Sequence, residues 1–315
     1  ILNSNNKFAA AAAAPIILNI VLILSLIISH FFKLNFVKQL SYGVTLAGII
    51  QLFFLFYVTL KFYNPTLNFK LKISSKVKFF FKKLLPSVLS SGVTQINILV
   101  GTIIASFEAG AVSYLYYADR IYQINLAIAG IAVGTVSLPI LSKAFKEKNS
   151  IKISNIQNKS VELSLLLSIP ASLGLVIASE EIINALFGYG SFSSEDVKIT
   201  SSALKYFGYG LPAFALIKIF SNFFFARNNT KTPFYISLFV VILNVIISIS
   251  FFDKFGFIII PIATSISTWV GVISYIYLLN LKKSLLLKNY LFKSFLKIIS
   301  STIIMSFFLV QTLGN

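Results

Sequence analysis

Nine runs of about 20 mostly apolar residues divide this chain, at about 10 to 31, 40 to 60, 84 to 107, 111 to 140, 160 to 179, 199 to 225, 233 to 252, 256 to 280 and 298 to 313. A hydrocarbon layer ~30 Å thick takes about 20 helical residues to cross. Within lipid, a helix satisfies its own backbone hydrogen bonds, whereas irregular chain and open sheet edges do not. Each run is therefore predicted to be a membrane-spanning helix, and the chain an all-α polytopic bundle. Only 11% of the residues are charged and 57% are hydrophobic, against ~25% charged in soluble domains. The absence of cysteine excludes disulfides, thiolate metal sites and cysteine nucleophiles. Because the chain opens with Ile1 and has Met305 as its one methionine, further helices are expected upstream.

A net charge of +18 invites a nucleic-acid reading, but the lysines are sorted by loop. Most fall in alternate connections: Lys61 to Lys83, Lys143 to Lys159, Arg227 with Lys231, and Lys282 to Lys297. The intervening loops hold few cations (Lys33, Lys38, Lys198, Lys254) together with Glu108, Glu180, Glu181, Glu195, Asp196 and Asp253. Under the positive-inside rule the first set is cytoplasmic, so the chain starts inside and crosses nine times. Topology accounts for the charge, and no nucleic-acid partner is expected. The basic stretch 68 to 83 interleaves lysines with Phe69, Leu71, Val77 and Phe79 to Phe81, a pattern suited either to the inner membrane surface or to a frayed helix in a basic loop.

An internal echo gives the organisation. Residues 5 to 29 and 228 to 250 each carry an Asn-Asn pair, a lysine, a proline and an Ile-Leu-Asn triplet before an apolar run, with Asn19 matching Asn244. Both copies start on the inner side and six spans separate them, which predicts parallel six-helix lobes related by an axis along the membrane normal, with substrate between them. Residues 1-83 are then the end of an N-lobe, 84-280 a C-lobe of six helices, and 281-315 a cytoplasmic loop and one further helix.

The polar residues inside the spans are the candidate site. Asp119 and Arg120 stand together inside the run 111 to 141. A charge at the bilayer centre costs ~2.5 to 3.5 kcal/mol on insertion scales, so it is expected to face a partner or a water-filled route. Tyr116, Arg120 and Gln123 share a helical face. Arg120 offers a fork of donors suited to phosphate or carboxylate, and Asp119 is its expected counter-charge when no ligand is bound. A structural ion pair that fixes helix packing is the competing account of these two residues. Ser90, Thr94, Asn97 and Gly101 form a narrow polar stripe on the preceding span, open to solvent or to a neighbouring helix. Lys218 is a further candidate, either lining a cavity or extending to the inner interface. Gly208, Gly210 and Pro212 are expected to permit bending, Gly130 and Gly134 to pack closely, and Pro139 to end or kink its helix. Asn244, Ser248 and Thr264 are weak cation candidates, since no carboxylate joins them. No cofactor is implied. The lone histidine, His30, lies near an outer helix end, and no nucleophile elbow or phosphate-cradling glycine loop occurs. The acidic outer loop 180 to 196 is the one place for surface enzyme chemistry, and an enzyme is not expected.

The segment PSVLSSGVTQINILVGTIIASFEAGAVSYLYYADRIYQINLAIAGIAVGTVSLPILSKAF (86 to 145) closely resembles the second-lobe signature of the MurJ/MviN lipid II flippases of the MOP exporter superfamily. The opening 20 residues, LFGYGSF (186 to 192) and ARNNTKTP (226 to 233) extend the likeness over nearly the whole chain. The resemblance implies a MOP/MATE-like two-lobe transporter of fourteen helices, of which the nine spans look like the fifth to the thirteenth. It further implies a multi-pass protein of the bacterial inner membrane that moves undecaprenyl-linked peptidoglycan precursor, lipid II, outward by alternating access. In that likeness Arg120 stands where the family has its cavity arginine, and the last span begins the pair that forms a lipid-tail groove. Gly101 replaces the aspartate that many members carry, which removes a carboxylate from any sodium site there. Lipid II, membrane lipid and a coupling cation are the implied partners, and a monomer is the expectation. Another MOP-type exporter, moving a different lipid-linked oligosaccharide, is the alternative.

Overall fold

The computed structural model describes residues 8 to 63, 74 to 282, 284 and 288 to 313. Side chains at 8 to 12, 76, 79, 80, 82 to 91, 94 and 289 lie outside the description. Eleven α-helices make up the described chain: α1 (Phe8–Phe31), α2 (Phe36–Leu60), α3 (Ser75–Ala105), α4 (Ala111–Leu126), α5 (Val133–Lys146), α6 (Ser150–Ile177), α7 (Ser179–Phe187), α8 (Ser194–Phe225), α9 (Lys231–Phe255), α10 (Ile259–Leu281) and α11 (Asn289–Leu313). A π-helical turn, Ala127–Ala132, joins α4 to α5 without a break. Seven described stretches are long and apolar enough to cross a membrane. The longest, Lys231–Leu281, folds back at Gly256 (φ 57°) and so supplies two crossings, α9 and α10. Helix α3 is continuous through 31 residues, with Gln95–Ala105 as its described apolar part. The all-α membrane bundle read from the sequence is the observed fold. Of the basic stretch 68 to 83, residues 68 to 73 lie outside the described residues, and the remainder opens α3.

The chain divides into two compact units, Ile1–Lys78 and Phe79–Asn315. In the first, α1 and α2 form a hairpin. Asn35 caps α2 by accepting from the Lys38 amide at 3.1 Å, and Ser29 donates to the Leu34 carbonyl at 3.0 Å across the turn. Close packing rests on Gly43, where an added Cβ would stand 2.5 Å from Ser25 Oγ. Gln51 donates to the Ala14 carbonyl at 2.9 Å near the other end.

In the second unit α8 is the axis. Its most apolar window is 72% buried, against 39% or less for the other spans. Helices α4, α5, α6, α7 and α10 pack directly on it, while α9 lies on α10 and α11 on α6. One apolar cluster gathers Ile104, Tyr122, Leu175, Leu204, Phe207 and Ile260. A second gathers Leu141, Leu165, Ile219, Phe223, Phe224 and Tyr275.

The Gly208-Tyr209-Gly210-Leu211-Pro212 run is locked into this packing. Proline has no N–H, so Pro212 leaves the carbonyl four residues back, that of Gly208, without its helical donor. Ser172 of α6 donates to that carbonyl at 2.7 Å. From α10, Ser265 donates to the Tyr206 carbonyl at 2.6 Å and Trp269 Nε1 to the Tyr209 carbonyl at 3.0 Å. Small residues permit the approach: a Cβ on Gly210 would stand 3.2 Å from Ser265 Cα. Pro139, by contrast, does not end its helix. Helix α5 runs on to Lys146, and the departure from α geometry falls upstream at Ala127–Ala132.

Candidate functional site

Helix α4 starts at a reversal that needs Gly110, whose φ of 78° is left-handed. Two ties hold its outer end. Glu108 accepts from the Phe257 amide at 2.8 Å, and the Tyr114 hydroxyl donates to Asp196 Oδ1 at 2.6 Å. Asp196 also closes a capping box with Ser193 at the start of α8. Glu108 and, from the 180 to 196 region, Asp196 therefore cap and fasten helices. Below the ties α4 buries Ala111, Ala118, Ile121, Tyr122 and Leu126 against the core, and Tyr122 stacks on Phe207 at 5.4 Å between centroids.

The opposite face exposes Tyr116, Arg120 and Gln123. At 1.5 Å rise per residue, Arg120 lies about 14 Å into the span from Ala111, near the middle of a ~30 Å core. Its Nη2 donates to the Tyr116 hydroxyl at 2.8 Å, and its guanidinium carbon stands 4.4 Å from the centroid of the Tyr116 ring. The ring provides a cation–π contact that orients the fork. Asp119 forms no direct ion pair with Arg120 among the described residues. It accepts a hydrogen bond from Gln123, and the ion pairs among the described residues are Lys152–Glu147 and Lys159–Glu162. Neighbouring residues diverge by about 100° around a helix. Arg120 therefore presents its guanidinium on an exposed face, with donors beyond the one that bonds Tyr116 left unused among the described residues.

The π turn follows one turn beyond this face. A π turn carries one residue more than the α-helical repeat, so it changes the phase between the Arg120 face and α5. Packing holds it closely: a Cβ on Gly130 would stand 3.0 Å from Ala215 Cα, and Asn222 of α8 donates to the Gly134 carbonyl at 2.8 Å. The paired glycines read as a close-packing device do that work against α8.

Other candidates lie elsewhere. Asn97 is half-buried on α3, and the Thr94 side chain is outside the described residues. Lys218 is exposed on α8. Neither Asn97 nor Lys218 is brought into hydrogen-bond contact with Arg120. Asn244, Ser248 and Thr264 do converge, but on one another. Asn244 donates to Thr264 at 2.9 Å and accepts from Ser248 at 3.1 Å, while Thr264 donates to the Ile260 carbonyl at 2.7 Å. They clamp α9 to α10, and no group of three acidic or histidine side chains is placed to hold a metal among the described residues. Lys205 is also exposed on α8, inside the apolar run near the outer loop.

The all-helical span bundle is shared with solved membrane transporters. A MATE-family multidrug transporter of the MOP superfamily in its inward-facing conformation matches with a TM-score of 0.73 over 90% of this chain and 67% of its own, at 16% identity, a likeness of fold. A structure titled lipid II flippase MurJ, inward closed conformation, matches with a TM-score of 0.82 at 30% identity over 99% of this chain and 63% of its own. The family model for the lipid II flippase MurJ matches residues 1–314, and the chain belongs to that family. A probable lipid II flippase MurJ of Rickettsia prowazekii (strain Madrid E) is 38% identical over 276 residues, covering 86% of this chain and 54% of the relative. The chain spans about half the length of such curated relatives. It is a multi-pass membrane protein, and family membership places it in the bacterial inner membrane.

Proposed function

We propose that this chain is the greater part of a flippase that carries lipid II, the undecaprenyl-pyrophosphate-linked disaccharide-pentapeptide, from the inner to the outer leaflet. The observation that carries the reading is Arg120: a guanidinium at mid-span, exposed, and outside the ion pairs found among the described residues. Charge-assisted donors in a fork suit a pyrophosphate or a peptide carboxylate. In this reading residues 1-83 end an N-lobe, 84-280 form the C-lobe, and 281-315 begin a terminal helix pair. The lobes rock in alternating access while the polyprenyl tail stays in lipid. Outward movement of an anion under an inside-negative potential releases ~2.3 kcal/mol per charge per 100 mV, so the potential favours export. No bond is made or broken, and the protein acts as a carrier, without a cofactor and as a monomer.

The substrate is tested in proteoliposomes holding the complete protein, with labelled lipid II and an O-antigen-type lipid-linked glycan supplied on one side. Lipid II is expected to cross and the glycan to remain. Transport of the glycan alone overturns the assignment.

A further inference from the structure

The inner ends of α9 and α10 enclose an open groove of about 400 Å³, within the usual range of ligand pockets. Its walls are Tyr235, Ile236 and Phe239 on α9, with Ser274, Tyr277 and Leu278 on α10. At its inner rim stand Thr232 and Lys282. The Lys282 ammonium lies 3.4 Å from Thr232 Oγ1 and 5.4 Å from the centroid of the Phe224 ring. No carboxylate lies within ion-pair distance of it among the described residues. Tyr235 and Tyr277 are 64% and 62% exposed, so the aromatic walls face outward rather than into the core.

Both helices are spanning segments, and the lysine pattern puts these ends on the cytoplasmic side. A groove that opens sideways at that depth is in contact with lipid. Its rim needs an anion with acceptor oxygens, while the slot beneath takes a hydrocarbon chain. The geometry points to a bound anionic phospholipid of the inner leaflet, its phosphate on Lys282 and Thr232 and one acyl chain between Tyr235, Phe239 and Tyr277. Charge complementarity selects this occupant over a zwitterionic lipid, because a basic residue near the surface favours anionic headgroups. The site is separate from Arg120 and does not depend on the flippase reading.

The chain supplies its own probe. Trp269 is the one tryptophan in this sequence and is 40% exposed. It shares the exposed α10 face with Ile273 and Tyr277, about 12 Å outward of Tyr277 along the axis. A lipid seated at Lys282, about 20 Å inward of Trp269 along the axis, lays the end of its chain beside this indole. The complete protein, with any tryptophan outside this sequence replaced by phenylalanine, is placed in phosphatidylcholine vesicles doped with either phosphatidylglycerol or phosphatidylcholine brominated near the end of the acyl chain, and Trp269 quenching is titrated. Brominated phosphatidylglycerol is expected to quench with about fivefold higher apparent affinity, the equivalent of ~1 kcal/mol for one basic contact. Lys282→Gln is expected to equalise the two lipids, and Thr232→Val to narrow the difference. Lys288→Gln, on the same side but outside the groove, should leave it unchanged, and quenching by brominated phosphatidylcholine should be the same in every variant if all are folded. Equal quenching by the two lipids in the parent chain, or an equal loss in Lys288→Gln, overturns the site.

Discussion

Replacing Arg120 with lysine is expected to lower lipid II translocation about 10- to 150-fold, although the charge is kept. Hydrogen bonds to charged groups contribute ~1.5 to 3 kcal/mol each, and every 1.4 kcal/mol is tenfold. The loss in Arg120→Lys is the fork, since an ammonium cannot present two parallel donors to one phosphate or carboxylate. Arg120→Ala is expected to fall further, because it removes the positive charge as well as the fork. Tyr116→Phe should fall least: the ring that stacks on the guanidinium stays, and only the 2.8 Å acceptor goes. The check is translocation of labelled lipid II in proteoliposomes, together with growth of flippase-depleted cells. Full growth on Arg120→Lys would mean that the fork has no part in transport.

The second large effect is expected in stability. Ser172→Ala leaves the Gly208 carbonyl without a donor inside the α6–α8 contact, where an unsatisfied buried group costs ~1 to 3 kcal/mol. Thermal unfolding in detergent measures the loss. Pro212→Ala gives residue 212 an amide that reaches the same carbonyl, so Ser172→Ala should cost much less in that background. A double-mutant cycle isolates this coupling. Additive effects of the two changes would show that the serine and the proline act independently.

Much of this fold can be read from the sequence because the membrane leaves few choices. Runs of apolar residues give the helices, while the sidedness read from the lysines and the repeat read from the Asn-Asn echo belong to the proposed function. Helix-scale periodicity also places Tyr116, Arg120 and Gln123 on one face, which is where the structure has them. What the sequence does not reveal depends on contacts between distant residues. Asp119 adjoins Arg120 in the chain but bonds Gln123, because helical geometry separates neighbours and joins residues four apart. The π turn at Ala127–Ala132 has no local signal beyond its glycines, since it is set by packing on Ala215 and Asn222. Likewise the run around Pro212 reads as a weak point, yet α6 supplies a donor to the Gly208 carbonyl that the proline frees, and α10 adds donors to the Tyr206 and Tyr209 carbonyls. Asn244, Ser248 and Thr264 have the oxygens of a cation site but spend them on one another.

The account turns on whether the Arg120 face of α4 meets water at mid-membrane depth. The sequence contains no cysteine, so single cysteines at Tyr116, Gln123 and Ala127 can be compared with cysteines on the buried face at Ala118 and Ala129. A charged, membrane-impermeant thiol reagent attacks the thiolate, which forms in water and not in hydrocarbon. Rapid labelling at 116, 123 and 127, slowed by lipid II, with no labelling at 118 or 129, is the predicted pattern. If positions 123 and 127 resist the reagent as completely as the buried pair, the arginine faces lipid or a dry contact, and a carrier built around it is contradicted.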